Sequence, residues 1–152
     1  KALPEIPEGL DLGLDNFNLY DISKYISIKL NKSDSEFLSN VGMPNQAAPF
    51  LSFNPVYDWD FQPDNYFALG ADGSGSPICI EYETGFIVLL DHDWDMKKIF
   101  INSSLIQFAE SLCIYRSMLT NETLNNCFES MCKIDGKLKN DGLWWLDQIK
   151  YS

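Results

Sequence analysis

The sequence predicts an α+β fold, a central antiparallel sheet of hairpins flanked by N- and C-terminal helices. Three observations carry that prediction. Four short apolar segments between Tyr66 and Ile101 alternate with turn residues, the pattern of a meander. Beyond Asn102 the apolar spacing lengthens to the helical period. Ahead of the strands, Ser33-Asp-Ser-Glu36 has the form of a capping box opening a short helix to about Val41.

Taken in order, the first 22 residues are rich in Pro, Gly, Asp and Asn and read as an irregular arm on the domain. The helix after Ser33 stops at Gly42 and Pro44. Residues 42–65 hold four prolines around the apolar piece Phe50–Phe53, which predicts an edge strand or extended loop. Strands follow at Tyr66–Leu69, Ile78–Tyr82, Phe86–Leu90 and Ile99–Ile101. They are joined by Asp72-Gly-Ser-Gly75, Glu83-Thr-Gly85 and the loop from Asp91 to Lys97.

Asn102-Ser-Ser104 supplies N-cap side chains, and Leu105, Phe108, Ala109, Leu112 and Tyr115 form one helical stripe. Leu124, Cys127, Phe128 and Met131 form another, in a helix starting near Thr120 or Asn121 and ending before Gly136. Leu143-Trp-Trp-Leu146 with Ile149 predicts a short closing helix. No repeat or linker interrupts the chain, so one domain is expected over 1–152, with an arm at 1–22 and a core at 23–152.

The 152 residues suffice for an ordinary core, burying roughly 70% of the unfolded surface. With 45% hydrophobic and 14% aromatic residues, the chain is no disordered acidic tail. Its longest apolar run, Phe86–Leu90, is far short of the roughly 20 residues of a membrane span. The opening Lys1-Ala-Leu-Pro-Glu-Ile-Pro lacks the apolar stretch of a secretory signal. Cys79, Cys113, Cys127 and Cys132 follow no Cys-x-x-Cys spacing, and three of them fall at helix-type positions among apolar neighbours, as buried thiols of a reducing compartment would. A cytoplasmic protein is expected, and the sequons at Asn31, Asn102 and Asn121 read as helix-cap chemistry.

The net charge of −11 is unevenly spread. From Ser33 through Met96 there is no Lys or Arg, while Asp34, Glu36, Asp58, Asp60, Asp64, Asp72, Glu81, Glu83, Asp91, Asp93 and Asp95 lie in that stretch. A polyanion would be repelled, which argues against direct nucleic-acid binding. Such a field attracts basic proteins in a salt-dependent way; its plainer role is solubility.

Motifs for catalysis are incomplete. His92 is the single histidine, sits in a turn, and has no nucleophile partner recognisable by motif. Asp91-His-Asp93-Trp-Asp95 resembles the start of a calcium loop, but its sixth position is Met96 and its twelfth Asn102, so the tight turn and bidentate ligand are missing. Gly70–Gly75 is not followed by Gly-Lys-Ser/Thr or a helix. Glu81 and Glu83 lie two apart on an expected strand, either a glycosidase-like pair or a solvated face. No catalytic residue, cofactor or metal is expected. Trp59 and Trp94 sit among aspartates, either folded onto the core or exposed as protein-binding hot spots. The candidate binding residues are Asp58, Trp59, Asp60, Asp72, Asp91, Asp93, Trp94 and Asp95.

The runs Gly70-Ala-Asp-Gly-Ser-Gly-Ser-Pro-Ile-Cys-Ile, Thr84-Gly-Phe-Ile-Val-Leu-Leu-Asp-His and Phe100-Ile-Asn-Ser-Ser-Leu-Ile-Gln-Phe-Ala, in that order, resemble the SUKH superfamily. Val41-Gly-Met-Pro44 followed by Phe50–Phe53 is similar to that family's passage from helix to strand, and the likeness spans about residues 33–150. The superfamily contains bacterial immunity proteins and the yeast cell-wall-synthesis regulators. The resemblance implies an α+β fold, no catalytic residues, and neutralisation of a cognate toxin, often a basic nuclease, by binding it. The expected form is a monomer or weak homodimer. The rival expectations are an intracellular regulatory scaffold and a metal-assisted hydrolase built on Asp91, His92, Asp93 and Asp95.

Overall fold

A computed structural model describes residues 17–22, 29–53, 64–121 and 123–152. The fold is α+β. Its centre is a six-stranded antiparallel sheet in sequential order: β3 (Gln46–Ala47), β4 (Leu51–Ser52), β5 (Tyr66–Ala71), β6 (Pro77–Glu81), β7 (Ile87–Asp91) and β8 (Lys97–Asn102). A small ribbon pairs β1 (Phe17–Asn18) with β2 (Met43–Pro44). The helices are α1 (Lys32–Asn40), α2 (Leu105–Thr120), α3 (Cys127–Ile134), α4 (Leu138–Asp141) and α5 (Leu143–Lys150).

The middle strands are buried on both faces. All of β6 and the first four residues of β7 are buried, which is why they read as continuous apolar runs rather than alternating ones. Tyr20 packs on Phe67 with ring centroids 6.1 Å apart, and its hydroxyl donates to the Leu69 carbonyl at 2.7 Å. From α2, Phe108 meets Phe53 edge-on at 6.0 Å. Leu105, Phe108, Leu112 and Tyr115 are the buried apolar residues of that helix, as the 3.6-residue stripe requires. Gly70 lies at a register shift between β5 and β6, where an added Cβ would come 2.1 Å from the Ser52 carbonyl oxygen. β4 approaches β5 closely because position 70 carries no side chain.

Several elements differ from the sequence expectations. The first helix begins at Lys32, not after Ser33. Asn31 is its cap, its Oδ1 accepting from the Asp34 amide at 2.8 Å, and Glu36 lies 3.8 Å from Lys32 instead of reaching back. Asparagine two residues earlier takes the cap position and satisfies the Asp34 amide, so the capping box is not used. Phe50–Phe53 is not one extended piece: β4 is only Leu51–Ser52, and the chain turns sharply at Phe50 to pair with β3. The helix expected from Thr120 starts at Cys127, because α2 continues through Thr120 and a 3₁₀ turn at Leu124–Asn126 follows. The short α4 carries no amphipathic stripe long enough to be read from sequence.

The C-terminal helices are tied to β8 by a buried polar group. Asp135 is 1% exposed, and its carboxylate accepts from the Ser103 amide at 2.7 Å, the Ser103 hydroxyl at 2.8 Å and Asn102 Nδ2 at 3.1 Å. Asn102 Nδ2 also reaches Ser111 of α2 at 3.1 Å, and its Oδ1 accepts from Trp145 Nε1 of α5 at 2.9 Å. Ser104 alone caps α2, its hydroxyl accepting from the Gln107 amide. Asn102, expected among the cap residues, points inward instead, since the last residue of β8 faces the interior.

Candidate protein-binding interface

The meander places alternate connections at opposite ends of the sheet. At one end lie the β5–β6 turn (72–76) and the β7–β8 loop (92–96), stitched together through Ser76. The buried Ser76 hydroxyl lies 2.8 Å from His92 Nδ1 and accepts from the His92 amide at 3.3 Å. The tip of the β3–β4 connection reaches the same end, since a Cβ added at Gly73 would meet Phe50 Cβ at 3.2 Å. Glycine there lets Phe50 lie against the turn without crowding.

Each turn is held by its own carboxylate. Asp72 Oδ1 accepts from the Ser74 amide at 3.0 Å, the Ser74 hydroxyl at 2.8 Å and the Ser76 amide at 2.9 Å, a side-chain copy of a backbone turn. Asp91 Oδ1 accepts from the Asp93 amide at 3.0 Å and so caps the 3₁₀ turn His92–Trp94. Asp95 and Met96 then take left-handed φ values of 54° and 57°, which turn the chain into β8. Asp93 lies 3.3 Å from His92 Nε2. His92 therefore does have a serine neighbour, which motif reading missed because Ser76 lies 16 residues away. Ser76 is 1% exposed and inaccessible as a nucleophile.

This end combines acid with aromatic surface. Trp94 is 73% exposed and so is not folded onto the core. Phe50, absent from the sequence-derived candidates, is 88% exposed. Among the described residues, the non-glycine positive-φ positions are Phe50, Asp95 and Met96, all at this end. The sequence signal that could have found Phe50 is a proline before an aromatic residue within the charge-free stretch 41–53. Of the eight candidates, Asp72, Asp91, Asp93, Trp94 and Asp95 come together here; Asp58, Trp59 and Asp60 lie outside the described residues.

The acids of the middle segment do not form one uncompensated face. Asp34 is buried in the first turn of α1, and burial pushes its carboxyl above the usual range against the pull of the Asn31 hydrogen bond. Glu81, expected on a solvated face, is buried at the other end of the sheet. It receives Lys98 Nζ at 2.8 Å and the Thr84 hydroxyl at 2.8 Å. Burial raises its carboxyl, but the bonds from Lys98 and Thr84 together outweigh that and hold it below the ordinary glutamate value. β6 ends at Glu81, so Glu83 falls in the turn and the two do not form a same-face pair. Asp64, Glu83 and Lys29 line a cavity of about 460 Å³ beside Glu81. At the turn end, by contrast, none of Asp72, Asp91, Asp93 and Asp95 forms an ion pair with a Lys or Arg among the described residues.

Among the described residues no group of three His, Cys, Asp or Glu side chains has metal-holding geometry. No described helix is long and apolar enough to cross a membrane. All four cysteines are free thiols. Cys79 and Cys127 are buried, and burial pushes them up to about 12 and about 11. Cys113 and Cys132, expected to be buried as well, are only half-buried at the edges of their helix stripes.

No curated protein and no solved structure matches the chain. Residues 26–130, which contain the ribbon strand β2, the whole meander and α2, match the SUKH-4 immunity protein family, within the superfamily indicated by the hairpin runs. The chain belongs to the SUKH-4 immunity protein family.

Proposed function

We propose that this protein neutralises a cognate toxin by docking the acidic, aromatic end of its sheet onto a basic surface of that toxin, without catalysis of its own. The observation that carries the reading is the grouping of Asp72, Asp91, Asp93 and Asp95, unpaired with Lys or Arg among the described residues, around the exposed rings of Trp94 and Phe50. Aromatic side chains bury large area at low entropic cost, while carboxylates steer a cationic partner and fix its register. A basic nuclease fits this chemistry, its substrate being a polyanion whose place the aspartates would take. The free thiols agree with action in a reducing cytoplasm, and the chain acts as a monomer or weak homodimer.

The test is co-expression with the product of the neighbouring gene, followed by co-purification and kinetics. Protection of the host and a complex that forms more slowly as salt rises are expected. Changing Asp91, Asp93 and Asp95 to Asn lowers the association rate by roughly tenfold at low salt and flattens its salt dependence. Failure to protect, with the protein folded, points to a regulatory scaffold. Unchanged association places the docking face elsewhere.

A further inference from the structure

The tip at Phe50 also borders a second surface. Ala48, Pro49 and Phe50, together with Tyr115, Arg116 and Leu119 from the end of α2, line a groove of about 640 Å³. Three features distinguish it from ordinary surface. Phe50 is held at a φ of 60° with 88% exposure, a conformation disfavoured for a bulky side chain by on the order of 1–3 kcal/mol. Neither burial nor backbone preference accounts for a phenylalanine there. The wall it belongs to, residues 41–53, contains no charged side chain. Arg116 is the single arginine of the chain; it is half-buried, and among the described residues its guanidinium has no hydrogen-bond or ion-pair partner.

An occupant of this groove must satisfy both kinds of wall. An apolar side chain can pack on Phe50 and Leu119. A hydrocarbon alone, however, would cover Arg116 and leave its guanidinium without water or a partner. A carboxylate beside the apolar group supplies the paired acceptors that a planar guanidinium takes best. A neighbouring lysine would meet a like charge. We propose that the groove takes an apolar side chain followed by an acidic one, presented by the same partner whose basic surface meets the aspartates; this rests on reading the turn end as the docking end. Docking is then bipartite, with Phe50 as the ridge shared by both halves.

The experiment is a titration of the full chain, followed by amide NMR, with three blocked dipeptides: acetyl-Leu-Asp-amide, acetyl-Leu-Asn-amide and acetyl-Leu-Lys-amide. The expected result is saturable shifts at Phe50, Arg116 and Leu119. The Asp peptide should bind about tenfold more tightly than the Lys peptide, with dissociation constants on the order of millimolar. Arg116→Gln should abolish that preference while Phe50→Ala weakens all three peptides. Equal response to the Asp and Lys peptides, shifts confined to other surfaces, or no saturable shift overturns the assignment. Concentration-dependent shifts at these amides without peptide overturn it in favour of a second copy of the chain. The two readings separate cleanly: peptide binding without toxin protection defeats the docking reading, whereas protection without peptide binding defeats the groove.

Discussion

Asp135 and the aspartates of the turn end are the same residue type in two contrasting regions. Behind β8, one carboxylate takes three hydrogen bonds, and through Asn102 it joins α2, α3 and α5 to the sheet. At the turn end, Asp72 and Asp91 each hold only their own turn, and Asp93 and Asp95 are exposed. A buried carboxylate that completes a network specifies how elements meet. A solvated one contributes little to folding and stays available to a partner. The contrast teaches that the acids of this chain divide by burial, not by their place in the sequence.

The largest expected effect tests the buried side. Asp135→Ala strands the Ser103 amide and the Asn102 side chain without their acceptor, and should lower unfolding free energy by about 3 kcal/mol in urea denaturation. A loss under about 1 kcal/mol would mean that water replaces the carboxylate.

Glu81 gives an intermediate case. Glu81→Gln removes the pair with Lys98 and should cost about 1 kcal/mol at neutral pH. Because the folded carboxyl is held below its ordinary value, this contribution is complete above the unfolded glutamate range and is lost as pH falls through the lower folded value. The gap between wild type and variant should therefore close below about pH 4. Asp34, whose carboxyl is raised, acts oppositely: its burial penalty is relieved as pH falls, so the two partly offset in the wild-type acid transition.

Phe50→Gly relieves the left-handed backbone and removes a ring that is 88% exposed. Thermal and urea unfolding should show a gain of about 1 kcal/mol, together with weaker docking. The smallest effect belongs to the acidic loop. Asn at 91, 93 and 95 keeps an oxygen to cap the 3₁₀ turn, so stability should stay within about 0.5 kcal/mol of wild type. A larger loss would show that the loop carboxylates hold the fold and would erase the distinction between the two regions.

Much of the meander could be read directly because its strands are apolar runs separated by Asp, Gly and Thr turns, all encoded over a few residues. The edge at 43–53 could not be. Its strands are two residues long, and although β3 and β4 pair locally, they join the sheet only through Ser52 and Ala71, about twenty residues apart. The same holds for the site. Trp94 and its aspartates stand together in sequence. Phe50 joins them because the β3–β4 connection lies against Gly73 of a distant turn, and Glu81 leaves the acidic set because Lys98 reaches it from across β7.

The order of elements, the turn chemistry, the acidic excess and the likeness to SUKH proteins are properties of neighbouring residues, and the sequence by itself determined them. Tertiary structure alone decided which carboxylates are neutralised, which aromatic rings face solvent, and that Arg116 borders the Phe50 groove. Those outcomes depend on groups brought together from distant positions, where burial sets the strength of each charge and the backbone path sets its company.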